Sequence, residues 1–207
     1  MSKYDPNIHH RRSIRLKGYD YTQPGAYFVT ICTDKHKFLL SEIVNGEAAL
    51  SQYGLAAQRV WAGLPQHYPY VVLDEIVLMP NHVHCIIFLT EDPVGAGLVR
   101  EDFLKEQSRP APTKRHGLPE IVRAFKSFSA HAINLLRGVS GVSVWQRNYY
   151  EHIVRSEPAL KAIRQYIYDN PMRWELDKYN PAAVGVDSQA AALWKMLQQK
   201  GVSTDNP

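Results

Sequence analysis

A chain of 207 residues and 23.6 kDa has the length of one domain with appendages. Its 45% hydrophobic and 21% charged residues and mean hydropathy of -0.32 exclude wholesale disorder and a collagen-like polymer. The net charge of +4 permits a polyanionic partner without requiring one.

The longest apolar run, around Cys85-Ile86-Ile87-Phe88-Leu89, falls far short of the roughly 18 residues of a bilayer crossing, so no membrane span is expected. The first residues do not begin a signal peptide, which points to the cytoplasm. Charge is unevenly placed. Lys3, Arg11, Arg12, Arg15 and Lys17 stand against Asp5 alone in the first 17 residues, and Arg109, Lys114, Arg115, Arg123 and Lys126 stand against Glu120. Cys32 and Cys85 lie in apolar runs without CxxC spacing, the pattern of reduced core thiols.

In chain order, Ala26 to Thr33 is rich in β-branched and aromatic residues and reads as a strand. Glu47 to Leu64 has helix formers at mostly helical spacing, with Gly54 as a blemish. Val71 to Met79 and His82 to Thr90 read as strands joined at Pro80-Asn81. Residues 91–117 shift to Pro, Gly, charge and small side chains, a long mobile connection. A helix is expected from Leu118 to Leu136, with Pro119 in its first turn. A strand follows around Val144-Trp145-Gln146-Arg147. Ser156-Glu157-Pro158 then opens a helix that ends before Pro171. This βαββαβ order predicts an α+β, ferredoxin-like antiparallel sheet with helices on one face, and an additional C-terminal helix. The expected organisation is a basic arm over 1–24, a folded domain over 25–174 and an extension over 175–207, with no interpretable motif after Trp174.

Two groups of residues carry chemistry. On a strand, His82 and His84 project from one face about 6.6 Å apart, so two imidazoles can converge on one cation while Val83 and Cys85 face the core. On the last predicted helix, Tyr166 and Asn170 share a face at a spacing of four, and Ile163 and Ile167 form the apolar side. Tyr168 lies on a different face from Tyr166. A phenol becomes a useful nucleophile when a cation stabilises its phenolate, because its free pKa is near 10. A divalent ion held by two histidines and an amide suits that role, with Mg²⁺ or Mn²⁺ the candidates. Structural readings remain open here: paired histidines with ordinary hydrogen bonds, and a core tyrosine above an Asn that caps its helix.

Met79-Pro80-Asn81-His82-Val83-His84-Cys85, Val144-Trp145-Gln146-Arg147-Asn148-Tyr149-Tyr150-Glu151-His152-Ile153 and Tyr166-Ile167-Tyr168-Asp169-Asn170-Pro171, in that order, resemble motifs of the REP-associated tyrosine transposases, a branch of the single-tyrosine, IS200-like HUH family. The resemblance runs from Gly25 to about Trp174. It implies a metal-dependent endonuclease and strand transferase acting on single-stranded DNA near hairpin-forming palindromes, through a covalent 5′-phosphotyrosine. By position it makes Tyr166 the nucleophile, His82, His84 and Asn170 the metal ligands and His152 a supporting residue. Arg11, Arg12, Arg15, Lys17, Arg123, Lys126 and Arg147 are the expected DNA contacts, on a monomer or homodimer. The alternative is a domesticated DNA-binding regulator that no longer transposes. A histidine-triad hydrolase is disfavoured because Ile86 stands where a third histidine belongs.

Overall fold

Strand β1 (Gly25–Cys32) is buried on both faces, which places it inside a sheet rather than at an edge. The computed structural model describes residues 18–91 and 115–199, so Arg11, Arg12, Arg15, Lys17 and most of the 91–117 connection lie outside the described residues. β1 pairs antiparallel with β5 (His82–Leu89) on one side and β6 (Tyr150–Val154) on the other, and β4 (Val71–Leu78) pairs with β5. The spatial order is β4-β5-β1-β6. Helix α1 (Gln52–Ala62) joins β1 to β4, with the single turn α2 (Leu64–His67) behind it, and α3 (Leu118–Leu136) joins β5 to β6. This is the ferredoxin-like α+β arrangement expected from the sequence.

The period of two divides the core. Tyr27, Val29, Ile31, Val83, Cys85 and Ile87 pack with Ala57 and Trp61 of α1 and Ile121 and Phe125 of α3. On the opposite face, Phe28 and Ile86 pack with Leu160, Ile163 and Ile167 of α4 (Glu157–Asp169), and with Leu193 and Leu197 of α5 (Ser188–Gln199). The two ferredoxin helices thus share one face, and the helix that carries Tyr166 covers the other. Ser156 caps α4 by accepting from the Ala159 amide at 3.4 Å, and a 3₁₀ segment (Pro171–Leu176) follows it. The Arg164 guanidinium, 2.7 Å from Asp74, ties α4 to the irregular stretch of β4.

Two expectations are corrected. The helix expected from Glu47 begins only at Gln52, because Glu47–Leu50 is strand β3 in a hairpin with β2 (Ser41–Val44). The turn residues Asn45 and Gly46 have φ of 52° and 79°, the left-handed pair that a two-residue hairpin loop requires. Ser51 then caps α1, accepting from the Tyr53 and Gly54 amides at 3.1 Å. The strand expected around Val144 forms instead at Tyr150–Val154, leaving a single bridge between Thr33 and Trp145. Trp145 is drawn toward α3, donating its indole N–H to Ser129 Oγ at 2.9 Å. Gly54 is a requirement rather than a blemish: a Cβ there would sit 2.0 Å from the Leu40 carbonyl oxygen.

Candidate metal and tyrosine site

Register across β1 and β5 sets His84 opposite Thr30 and His82 opposite Cys32, on the face that α4 covers. Both histidines are buried, and their Nε2 atoms lie 3.1 Å apart. Each ring is held from behind. Asn81 donates its side-chain amide to the Tyr179 carbonyl at 2.7 Å, which turns Asn81 Oδ1 toward His82 Nδ1 at 2.9 Å. His82 Nδ1–H is therefore the donor, and its Nε2 lone pair faces inward. Thr30 Oγ1 lies 2.8 Å from His84 Nδ1, and Phe28 stacks on the His84 ring at 5.4 Å.

The face shared by Tyr166 and Asn170 points at this pair. The Tyr166 hydroxyl is 3.3 Å from His84 Nε2, within one chain. Asn170 is buried, and its Oδ1 has no hydrogen-bond partner among the described residues. The Asn170 side chain acts on both Tyr166 and Asp177, and leaving its buried Oδ1 unpaired costs about 1 to 3 kcal/mol.

Sequence reasoning missed Asp177. Its Oδ2 lies 3.7 Å from His82 Nε2, and His82, His84 and Asp177 offer ligand atoms all within 4.8 Å of one another, an arrangement able to hold a metal ion. Asp177 follows Asn170 across the 3₁₀ segment, where no helical period links the two. The one available signal was Asp177 opening a turn, its Oδ1 accepting from the Tyr179 amide at 2.6 Å.

Electrostatics agree with a cation site. Burial pulls His84 down to about 3 and pulls His82 well below its ordinary value, with His84 and Lys178 adding to the effect on His82. Both rings are thus neutral, the form that ligates metal, and the contact between His82 and Asp177 is not a charged pair. Burial raises Asp177, opposed by the Tyr179 amide, by Lys178 and by Asn170. Burial and then the charge of Asp177 raise Tyr166, against Asn170 and Arg173, so the phenol keeps its proton unless a positive charge joins the site.

The remaining expected residues fall elsewhere. His152 stands opposite Phe28 in β6 and lines a separate small recess with Ser156, Ala159 and Leu197. Arg123, Lys126 and Arg147 surround one cleft of about 530 Å³ between α3 and the 142–149 loop. There the Lys126 ammonium donates to the Gln146 and Arg147 carbonyls at 2.5 and 2.9 Å. Cleft and histidines are linked: Gln146 Nε2 lies 2.9 Å from His36 Nε2, His36 stacks on Tyr179 at 5.6 Å, and Tyr179 packs 4.6 Å from His82. No helix among the described residues is long and apolar enough to cross a membrane.

An antiparallel ferredoxin-like sheet that presents two histidines, a tyrosine and an acid at one buried point defines a class: α+β proteins with a candidate metal site beside a tyrosine hydroxyl. No family model matches the chain. A Haemophilus influenzae protein described only as "Uncharacterized protein" is 40% identical over 178 residues, spanning 86% of this chain and 97% of that one. A second protein of that organism, described as "Putative REP-associated tyrosine transposase", is 27% identical over 155 residues, 74% of each chain. A solved structure of a REP-associated tyrosine transposase bound to a REP hairpin superimposes with a TM-score of 0.48 at 20% identity, covering 84% of this chain and 74% of that one. The chain belongs to one family with the first of these proteins and is similar to the second, described as a REP-associated tyrosine transposase.

Proposed function

We propose that the protein is a metal-dependent single-stranded DNA endonuclease and strand transferase in which Tyr166 is the nucleophile. One observation carries the reading: the Tyr166 hydroxyl and the inward nitrogens of His82 and His84 meet at one buried point, with the Asp177 carboxylate within ligand distance. His82, His84, Asp177 and Asn170 fit a divalent ion, Mg²⁺ or Mn²⁺, by donor set: two neutral imidazoles, a carboxylate and an amide oxygen. When bound, such an ion supplies positive charge for phosphate oxygens and for the phenolate.

The protein's own groups do the rest. Asn81 and Thr30 fix the rings, and Phe28 and Ile163 hold the face on which Tyr166 sits. Tyr166 Oη attacks the scissile phosphorus and the bond to the 3′ oxygen breaks. The 3′ oxygen ends with the proton that the phenol loses, and the 5′ phosphate stays on Tyr166. The ester conserves the bond for rejoining to another 3′ hydroxyl. Arg123, Lys126 and Arg147, gathered at one cleft, together with the arm residues Arg11, Arg12, Arg15 and Lys17, supply phosphate contacts to hairpin DNA.

The polarity of cleavage tests this reading. A hairpin oligonucleotide with a single-stranded flank, incubated with Mn²⁺, should transfer a 3′-end label to the protein and release a 5′-end label on a fragment ending in a free 3′ hydroxyl. Transfer of the 5′-end label instead would overturn the chemistry.

A further inference from the structure

A second cavity, of about 210 Å³, has Tyr166 itself in its wall. Leu176, Asp177 and Lys178 form one side of it, and Trp194 of α5 forms another. Its volume lies below the roughly 300 to 1,000 Å³ of drug-sized sites and suits one planar heterocycle. Tyr150 and Tyr166 meet the Trp194 ring edge-on, at 82° and 70°. The exposed Lys178 ammonium sits 5.3 Å from the Trp194 ring centre and 4.8 Å from that of Tyr179. An ion pair between Arg173 and Asp187 ties the 3₁₀ segment to the approach to α5 and holds these walls together. The strand-transfer chemistry uses neither Trp194 nor Lys178.

We infer that this cavity receives the nucleobase beside the scissile phosphate, stacked against Trp194, while Lys178 pairs with the adjoining phosphate. The inference rests on the proposed nuclease reading and deepens it. A phosphate within reach of Tyr166 Oη carries its nucleoside within one nucleotide's span, and this cavity shares the tyrosine wall. An aromatic platform accepts any base through its π face, and a neighbouring cation serves the backbone, the pairing by which proteins hold single strands. A base stacked in a duplex cannot enter, so the cavity selects unpaired DNA at the cleavage point.

Single-turnover adduct formation by the full chain with Mn²⁺ tests the inference, using hairpin substrates with an abasic residue on one or the other side of the cleaved bond. One abasic substrate should react about tenfold or more slowly, in line with the loss of one stacked base. Trp194→Leu should lose a similar factor on the intact substrate and lose no more on that abasic one, while Trp194→Phe retains most of the rate. Independent, multiplying losses would overturn the inference, as would full rates on both abasic substrates. If Trp194→Leu does not fold, 2-aminopurine at the sensitive position serves with the natural chain: quenched emission in the complex supports stacking, and bright emission refutes it. Absence of adduct on every substrate would instead reject the nuclease reading beneath it.

Discussion

The Tyr166 hydroxyl lies 3.3 Å from His84 Nε2, although 82 positions separate the two residues in the chain. Two local periods produce that approach: the alternation of β5, which turns His84 away from the α1 and α3 face, and the four-residue spacing of α4, which sets Tyr166 and Asn170 on its sheet-facing side. Thr30 and Phe28 of β1 then fix the imidazole from its far side and its face.

Metal binding should raise thermal stability. A ligand at a hundred times its dissociation constant adds about 2.7 kcal/mol, or several degrees in Tm for a chain of this size. Mn²⁺ titration monitored by calorimetry should show that rise for the natural protein and a clearly smaller one for Asp177→Asn and for His82→Ala. An equal rise in Asp177→Asn would remove Asp177 from the ligand set.

Acid should destabilise the metal-free protein before its carboxylates titrate. Both histidines are depressed in the fold, His84 to about 3, against about 6.5 in the unfolded chain. The unfolded state binds more protons below about pH 6.5, so stability is full above that value and falls as pH drops toward 3, by about 1.4 kcal/mol per pKa unit of depression. Urea midpoints should decline from pH 7 to pH 4, and the decline should be smaller in His84→Gln than in the natural chain.

Gly54→Ala should destabilise the protein. Helix propensity alone favours alanine by about 1 kcal/mol, but the added Cβ would meet the Leu40 carbonyl oxygen at 2.0 Å, and such overpacking costs about 1 to 3 kcal/mol or more. Denaturant unfolding should show a net loss, and a gain would mean that the hairpin and α1 separate easily.

Removal of residues 1–17 should weaken hairpin binding and flatten its dependence on salt, by about one unit of slope for each phosphate the arm neutralises. Arg123→Ala and Arg147→Ala should each lower the slope by about one. An unchanged slope after the truncation would exclude the arm from the interface.

The sequence disclosed what local periods encode. Alternation in His82-Val83-His84-Cys85 separated the face of β5 that meets α1 and α3 from the site face, and the bounds of α3 follow its proline start and apolar repeat. Asn45-Gly46 was a legible hairpin signal, yet the helix formers beyond it masked the short β3. Trp145 read as a strand residue because nothing local reports the hydrogen bond it makes with Ser129 on α3. Asp177 and Trp194 reach the site only by tertiary folding of the segment behind the 3₁₀ turn, which no spacing in the chain announces.

The most direct measurement of the central claim is mass spectrometry of the protein after reaction with a hairpin substrate in Mn²⁺. The nucleotide should map to the peptide that contains Tyr166, and Tyr166→Phe should form no adduct while still binding the DNA. A nucleotide on any other residue, or an adduct that persists in Tyr166→Phe, would contradict the account.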